Sequence, residues 1–495
     1  MRVNLPLIGL LVVFVAGNVR AELALPAIFG DHMVLQADKP VAVWGRADAG
    51  QQVTVTIADQ SHDARADDAG QWRVELAPLH AGESHTLAVT AGDVTRTFSD
   101  VLVGEVWLCS GQSNMDMRLM KVADADAEIA RATQPTLRLF YVERAITDTP
   151  ADDVEGRWVV CNPSDARKFS AVSYFMGRAL QEELGTPIGL IHSAYGGTPA
   201  EAWISGSALS DNPALAQVLA RWERRVNKYT QALAGLSGTE AAKVAAPPER
   251  YMPAGLYNGM IDALAPFTLR GVAWYQGESN SWRGYEYRDL LPTLIADWRQ
   301  RWGDDALPFG VVQLPNYNNP PRVPRAEQSW EELREAQLLT VQNTPHTGLV
   351  VTIDIGNAID VHPTNKQDVG RRLALWALGA VYGRDVVYSG PTFREAAIEG
   401  NKVTLHLDHI GGGLATRDGG PVRGVVIAGK NGKFRWASNV EIHGNTLVVW
   451  DAKISKPASV RYAWDDNPDW ANLINVEGLP ASPFRTDDWP GVTGP

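Results

Sequence analysis

Residues 101–115 read VLVGEVWLCSGQSNM, an apolar run that gives way to small and polar residues. The first nine are rich in apolar and β-branched side chains, which is typical of a buried strand. Apolar side chains then recur as on the inner face of a helix, at Met115, Met117, Leu119 and Met120. The pattern places Ser113 at a strand-to-helix corner, where its hydroxyl is exposed and free backbone N–H groups can hold an oxyanion. A helix N-cap is the alternative explanation for a serine in this position.

Strand and helix patterns alternate from about residue 101 to residue 385. The predicted strands are 101–109, 188–192, 271–275, 310–314 and 348–353. Helical patterns fit 170–184, 286–302, 331–342 and 366–382. This alternation predicts the α/β fold class, with a parallel sheet covered by helices. Residues of about 207–250 interrupt it with a charged amphipathic helix, Leu215 to Leu233, which we interpret as a helical excursion that covers the domain.

The segments on either side of this region are of β type. Residues 22–100 hold short alternating runs separated by turn residues, which predicts an N-terminal β-sandwich. Alternating runs return in residues 386–495. These C-terminal strands either build a third domain or pack with the N-terminal β domain.

Composition limits the classes of function. The net charge is -12 and no basic run is present, which argues against a nucleic-acid partner. The two cysteines, Cys109 and Cys161, are too few for a disulfide scaffold or a cysteine-based zinc site. A single bridge between them stays open. The 17 tryptophans are numerous, and we expect most in cores and a few as stacking platforms for sugar rings.

The first 21 residues have the pattern of a secretion signal. Arg2 supplies the positive end, residues 5–16 form a short apolar core, and Val19-Arg20-Ala21 is a small-x-small cleavage site. We therefore expect a secreted or periplasmic protein whose mature chain starts near Glu22. No later run is apolar and long enough to insert the mature chain into a membrane.

His362 is the candidate base for a serine nucleophile. It follows the last predicted strand of the α/β region, at the sheet end where such folds build their sites. Pro363 favours an extended backbone at His362, and residues two apart in an extended segment point the same way. Asp360 is therefore expected beside the His362 ring, while Asp354 at the strand end is the competing acid. A surface aspartate and a helix-capping histidine are the alternative explanation for this pair.

Two more polar segments follow predicted strands of the same sheet. Residues 192–203 read HSAYGGTPAEAW, with paired glycines that let the backbone approach a ligand. Residues 274–280 read WYQGESN and place amide, carboxylate and hydroxyl groups at a strand end. Each alone is explained by a turn, but four polar strand ends in one sheet predict an active site.

These segments resemble the blocks of the SGNH hydrolase superfamily, and in particular its sialate O-acetylesterase-like branch. GQSNM at 111–115, GGTPAEAW at 196–203, WYQGESN at 274–280 and the DVHPTNKQ stretch at 360–367 fit the family pattern. MVLQ at 33–36 and EGLPASPFR at 477–485 extend the resemblance over nearly the whole mature chain. It implies a three-layer α/β/α esterase domain at 101–385.

The resemblance implies a serine esterase with a triad of Ser113, His362 and Asp360, acting through an acetyl-enzyme. The oxyanion donors would be the N–H groups of Ser113 and of Gly196 or Gly197, together with a side-chain amide. Gln276 or Asn280 would supply that amide, because the residues usual in the superfamily are absent here. No metal or organic cofactor is needed for this chemistry. Further candidate substrate contacts are Gln112, Asn114, Tyr195, Glu278, Asn280 and Trp203.

The acetylated sugar is the open part of the hypothesis. Sialic acid is an anion, so its site should hold an arginine or lysine, and Arg118 is the nearest candidate. The block sequences GQSNM, GGTPAEAW, WYQGESN and DVHP contain no arginine or lysine. Their lack of a cation favours a neutral hemicellulose such as xylan or xyloglucan. A non-catalytic carbohydrate-binding protein on the same scaffold is the alternative class of function.

Overall fold

The computed structural model describes residues 23–321, 323–324 and 328–494. The predicted secretion signal at residues 1–21 lies outside the described residues. Among those that are described, no helix combines the length and the apolar character needed to cross a bilayer.

The N-terminal part consists of short strands whose alternate residues face a common core. They are β1 Val34–Gln36, β2 Val41–Arg46, β3 Gln52–Ile57, β4 Gln60–Arg65, β5 Gln71–Leu76 and β6 Ser84–Ala91. β2 pairs with β5, and β3 pairs with β4 and β6, all antiparallel. Val43 of the first pair and Val55 of the second sheet are both fully buried in one apolar cluster. Two facing sheets therefore share one core, as the alternating runs predict.

A long strand connects this part to the central sheet. β7, Val94–Gly111, pairs with β6 in its exposed first half, and its second half is buried. The strand runs across the predicted boundary between residues 100 and 101, so the two parts are joined by continuous β-structure rather than by a linker. The domain limits themselves stay predictions.

The central sheet contains seven strands in the order β13–β12–β11–β7–β10–β8–β9. Its other strands are β8 Gln134–Tyr141, β9 Trp158–Cys161, β10 Ile188–Ala194, β11 Gly271–Tyr275, β12 Phe309–Val312 and β13 Thr347–Val350. All neighbours are parallel except β9, which runs antiparallel at the edge. Gly111 lies beside both Ala194 and Tyr275, so three strands end at one level.

Helices cover both faces of this sheet. They are α1 Ser113–Asp116, α2 Ala125–Ala130, α3 Pro163–Ala166, α4 Ala171–Leu184, α5 Gly206–Asp211, α6 Ala216–Leu233, α7 Gly238–Ala241, α8 Gly255–Met260, α9 Gly284–Trp302, α10 Ser329–Asn343 and α11 Gln367–Trp376, which continues as a π-helix, Ala377–Val381. Short 3₁₀ turns lie at Leu119–Lys121, Ala200–Trp203, Pro213–Leu215, Glu249–Tyr251, Asp262–Leu264 and Glu278–Arg283.

Two separate apolar clusters show the layering. Phe175 of α4 and Leu373 of α11 share a cluster with Trp107 of the sheet. Leu291 of α9 and Leu333 of α10 belong to the other cluster, with Trp274. The α/β prediction is confirmed, with helices on both sides of a mainly parallel sheet.

The predicted excursion contains the expected helix. α6 covers most of residues 215–233 and buries only Val218, so it lies largely in solvent. Arg221 of this helix pairs with Glu286 of α9 at 2.7 Å, which ties the excursion to the edge of the domain.

The C-terminal strands form sheets of their own. They are β14 Thr392–Glu399, β15 Lys402–Asp408, β16 Leu414–Thr416, β17 Val425–Gly429, β18 Arg435–Trp436, β19 Asn439–His443, β20 Thr446–Trp450, β21 Pro457–Tyr462, β22 Leu473–Asn475 and β23 Phe484–Arg485. Within the described chain none of them pairs with β1–β6. The buried Arg334 of α10 instead donates to the carbonyl oxygens of Asp465 and Asp466 at 2.7 and 2.8 Å. These two hydrogen bonds anchor the C-terminal region on the α/β domain.

Candidate active site

Ser113 lies at the carboxyl end of β7, as the first residue of α1. Gly111, with φ of 141°, makes the corner possible. A Cβ at Gly111 would collide with the Tyr275 carbonyl oxygen on the neighbouring strand, so only glycine fits. The N-cap residue of α1 is Gln112 and not Ser113, so the Ser113 hydroxyl is not used as a cap.

His362 is the hydrogen-bond partner of Ser113. Its Nε2 lies 2.8 Å from the Ser113 Oγ, although the residues are 249 positions apart in the chain. The loop after β13 brings the histidine to the end of β7. His192, at the end of β10, contacts Asp116 at 3.2 Å and is buried. The geometry suits proton transfer between the serine hydroxyl and His362.

Asp360 contacts the other nitrogen of the same ring. Its Oδ1 lies 3.2 Å from His362 Nδ1 and accepts the His362 backbone N–H at 2.9 Å. The Asp360 side chain is 58% exposed and that of His362 is 40% exposed. Asp354, the competing acid, instead forms a bidentate ion pair with Arg372 at 2.7 Å. Of the two candidate acids, the exposed Asp360 is therefore the one that contacts the His362 ring.

Backbone N–H groups converge beside Ser113. The loop after β10 is held by the Tyr195 N–H, which donates to the Gly111 carbonyl oxygen at 3.1 Å. A Cβ at Gly196 would lie 3.3 Å from the Ser113 Cβ, so this glycine lets the loop approach the nucleophile closely. Among described residues, the N–H groups of Ser113, Gly196 and Gly197 have no acceptor. They are free to bind an oxyanion.

Gln276 does not supply an oxyanion donor. Its side chain is fully buried, and its Nε2 donates to the Thr198 carbonyl oxygen at 3.1 Å and to the Asn280 Oδ1 at 2.7 Å. Its Oε1 accepts the Tyr287 hydroxyl at 2.8 Å. Both amide hydrogens are committed to the fold, so the predicted oxyanion role of Gln276 is wrong.

Asn280 and Trp203 are also structural. Asn280 is fully buried, accepts the Ala200 N–H at 2.9 Å and donates to Glu201 at 2.9 Å. Trp203 is fully buried, and its Nε1 donates to the Thr198 hydroxyl at 3.0 Å. Neither lines the cavity that contains Ser113, so the predicted substrate contacts at these two buried residues are wrong. Asn280 joins the loops after β10 and β11, whereas the Trp203 bond lies within the first of them.

Gln112 carries the amide that faces the site. Its Oε1 accepts the backbone N–H groups of Gly277 and Ser279 at 3.4 and 3.2 Å, which fixes the orientation of the amide. The NH₂ group has no partner in the described chain, and Gln112 lines the cavity beside Ser113. A donor held in this way suits a developing oxyanion or a sugar oxygen.

A buried polar cluster lies behind the nucleophile. Asn114 Nδ2 donates to the Glu278 carboxylate and to the Val361 carbonyl oxygen, the latter at 2.9 Å. Lys366 Nζ donates to Asn114 Oδ1 at 2.6 Å. Burial raises the pKa of Glu278 and lowers that of Lys366 to about 7. Asn114 and Glu278 thus serve first as supports of the site, and Lys366 is a site residue that sequence reasoning missed.

An open cavity of about 510 Å³ contains the Ser113 hydroxyl. Its wall includes His362 and Glu278, together with Asn318 and Asp466 from later parts of the chain. No lysine or arginine is among the described residues that line it. Arg118 is exposed and forms a backbone bridge with Ser170 outside this wall, so it does not supply the predicted cation.

Tyr195 does not line this cavity either. The guanidinium of Arg144 lies 4.6 Å from the centre of its ring, and Tyr195 is half-buried. Its predicted contact with substrate is therefore not made from this position.

The two cysteines take no part in this site. Cys109 and Cys161 are free, buried thiols, and burial raises the pKa of each to about 12. The described part of the chain holds no group of three or more histidine, cysteine or acidic side chains suited to a metal ion.

Comparison with known proteins agrees with this site. The family model described as "Carbohydrate esterase, sialic acid-specific acetylesterase" matches residues 103–378, which include both Ser113 and His362. A sialate O-acetylesterase of Rattus norvegicus is 31% identical over 426 residues, covering 77% of each chain. The human sialate O-acetylesterase is 28% identical and covers 93% of this chain and 92% of its own.

A solved structure shares the whole architecture. The crystal structure of a carbohydrate acetylesterase from Xanthomonas citri matches with a TM-score of 0.84 and 37% identity. The match covers 94% of this chain and 100% of that one. The flanking β regions are therefore shared with that protein together with the α/β domain.

Proposed function

Because the chain belongs to the carbohydrate esterase family of sialic acid-specific acetylesterases, and is a carbohydrate O-acetylesterase, we propose that Ser113 is its nucleophile. We further propose that its substrate is a neutral hemicellulose. The observation that carries the nucleophile is the 2.8 Å contact between the Ser113 Oγ and the His362 Nε2 at the end of the sheet.

The chemistry follows the geometry of these groups. The Ser113 Oγ attacks the acetyl carbonyl carbon while its proton moves to His362 Nε2. The negative charge on the former carbonyl oxygen is bound by the N–H groups of Ser113 and Gly196 or Gly197. Asp360 stabilises the imidazolium and keeps the ring oriented. The sugar alkoxide leaves with the proton from His362, and water then releases acetate from Ser113 by the same steps.

The charge of the cavity supports a neutral sugar. Its lining contains the carboxyl groups of Glu278 and Asp466, and no described arginine or lysine. Among the described lining residues a sialic acid carboxylate would find no cationic partner, and it would lie next to these acids. Arg250 lies next to the rim, where its Nε donates to the Gly197 carbonyl oxygen at 3.3 Å.

A direct comparison of substrates tests the proposal. Purified enzyme is given 4-nitrophenyl acetate, acetylated xyloglucan and xylan oligosaccharides, and O-acetylated sialic acid, with acetate release and product masses measured. We expect release from neutral oligosaccharides to exceed that from sialic acid. Preference for the sialic acid, lost in Arg250→Ala, would overturn the neutral-sugar assignment.

The same assay tests the nucleophile. Ser113→Ala should lower the rate with every ester by ~10⁴-fold or more, because the attacking oxygen is gone. Ser110→Ala, a nearby buried serine in β7, is the matched control and should retain activity. A wild-type protein that binds acetylated oligosaccharides but releases no acetate would support the alternative, a carbohydrate-binding protein.

We also propose that the chain is exported. The support is the charged start, the apolar core and the cleavage pattern before Glu22. Expression of the full-length chain in a Gram-negative host, followed by fractionation and N-terminal sequencing, should recover a periplasmic or secreted product that starts near Glu22. An uncleaved cytoplasmic product would contradict this localisation.

A further inference from the structure

One tryptophan differs from the others in its exposure. Trp282 is 82% exposed, whereas Trp107, Trp203, Trp274, Trp298 and Trp376 are fully buried. Leaving an indole in water forgoes the stabilisation that burial of a large apolar side chain provides. An exposed aromatic ring of this kind marks a surface for a ligand when its position is functional.

Trp282 is at a functional position. It lines the cavity that contains Ser113 and His362. It lies in the 3₁₀ turn Glu278–Arg283, two residues after the end of the family segment at 274–280. Its ring has no hydrogen-bond or aromatic partner within the described chain, so one face is available to a bound molecule.

The backbone that carries this ring is anchored on both sides. Asn280 donates to Glu201 at 2.9 Å and accepts the Ala200 N–H at 2.9 Å. Arg283 forms an ion pair with the same Glu201 at 2.8 Å. Residues on either side of Trp282 are thus tied to the loop after β10, and a binding surface mounted in this way loses little entropy when a ligand binds.

Polar groups suited to sugar hydroxyls occupy the same cavity. Asn318 Nδ2 donates to the Asp466 carboxylate at 2.9 Å, which joins a loop of the α/β domain to the C-terminal region. Both residues line the wall, as do the hydroxyls of Ser279 and Ser329. An aromatic face together with amide, carboxylate and hydroxyl groups has the chemistry needed to bind a neutral pyranose.

We propose that Trp282 is a stacking platform for a sugar ring of the polysaccharide, next to the residue that carries the acetyl group. The inference rests on the proposed function, since it assumes a carbohydrate ester at Ser113. The indole packs on the C–H face of the ring and so selects an oligosaccharide over a small acetate ester. A sugar-free ester reaches Ser113 without touching Trp282.

Kinetics on two substrates test this role. Trp282→Ala should raise KM for acetylated xyloglucan oligosaccharide about 10-fold, equivalent to about 1.4 kcal/mol, with kcat nearly unchanged. On 4-nitrophenyl acetate both constants should stay at the wild-type values. Trp282→Phe, which keeps an aromatic face, should recover most of the affinity. Tyr285→Ala, an exposed aromatic outside the cavity, is the matched control.

Equal loss on both substrates, or no loss on either, would overturn the platform. Calorimetric titration with deacetylated xyloglucan oligosaccharide separates the two proposals, because it needs no ester hydrolysis. Binding that weakens in Trp282→Ala supports the platform even if the acetylated substrate proves to be a different glycan. Equal affinities for wild type and variant, or a dimer in sedimentation that only the wild type forms, would refute it.

Discussion

Lys366 places its Nζ 2.6 Å from the Oδ1 of Asn114, the residue that follows Ser113. The amide of Asn114 in turn holds the Val361 carbonyl oxygen, one residue before His362. A buried amine thus supports the contact between the nucleophile segment and the loop of the proposed base. Glu278 is the carboxylate of the same cluster, and the charges of Lys366 and His362 act to lower its pKa against the effect of burial. The charge of Asp360, in the loop, acts to raise the pKa of Lys366.

Replacement of Lys366 should change how stability depends on pH. In the folded state its pKa is lowered by burial to about 7, from the ordinary lysine value of 10.5. Between these values the unfolded chain holds a proton that the folded chain has released. This group therefore makes the free energy of unfolding rise with pH, by at most about 1.4 kcal/mol per unit, and contributes nothing further below pH 7.

The measurement is denaturant unfolding of wild type and Lys366→Met at pH 6, 7.5 and 9. The wild type should gain stability relative to the variant from pH 7.5 to pH 9, and the exposed Lys168→Met should show no such trend. A constant difference between wild type and Lys366→Met would mean that Lys366 keeps its proton throughout this range.

The two aspartates of the loop should have opposite effects. Asp360→Asn should lower kcat by several orders of magnitude with little loss of stability, because an amide does not stabilise the imidazolium and the side chain is exposed. Asp354→Asn should retain most of kcat but lower the free energy of unfolding by about 3 kcal/mol, since it leaves the buried Arg372 without its carboxylate.

Steady-state kinetics and denaturant unfolding of both variants decide this assignment. Water screens the charge of the exposed Asp360, so its loss should change the free energy of unfolding little. A slow Asp354→Asn enzyme of normal stability, beside an active Asp360→Asn enzyme, would reverse it.

The two glutamines should separate oxyanion binding from folding. Gln112→Glu keeps an oxygen for the Gly277 and Ser279 N–H groups but replaces the NH₂ donor in the cavity. We expect kcat to fall ~10²-fold with the fold intact, as for loss of one oxyanion donor. Gln276→Ala should instead lower stability, because it leaves several buried groups without partners.

Thermal unfolding and kcat, measured on both glutamine variants, form the check. Normal turnover in Gln112→Glu would show that its amide does not contact the reacting ester. The conservative Gln112→Asn, whose shorter side chain cannot hold both contacts, should be impaired as well.

The cysteines should be inert in the native protein. Both thiols are buried, and burial raises the pKa of each to about 12. The thiolate, which is the reactive form, is therefore scarce at neutral pH. Titration with Ellman's reagent should detect no thiol in the folded protein and two after unfolding without reductant. Detection of none after unfolding would indicate a bridge.

The family segments could be recognised without coordinates because each is local. Apolar runs followed by small polar residues mark the strand ends, and parallel strands place their carboxyl ends together. From this alone the sequence predicts the α/β class, which is confirmed, and pairs Ser113 with His362 and Asp360. The structure places the His362 ring within hydrogen-bond distance of both the Ser113 hydroxyl and the Asp360 carboxylate.

The direction and burial of individual side chains could not be predicted in the same way. Gln276 and Asn280 stand in a family segment and look available, yet both amides are used between loops. Gln112 and Gln276 are the same residue type, and only their partners show which one faces the cavity.

What the sequence by itself determined is the series of strands and helices, the polar strand ends and the family, because these depend on neighbouring residues and on side-chain periodicity. Only the tertiary structure decided that Asp354 binds Arg372, that Trp282 is exposed at the cavity, and that Lys366 supports Asn114. The last contact joins residues 252 positions apart. Such contacts depend on how segments pack, because burial and hydrogen-bond partners are properties of the folded chain and not of any short stretch of it.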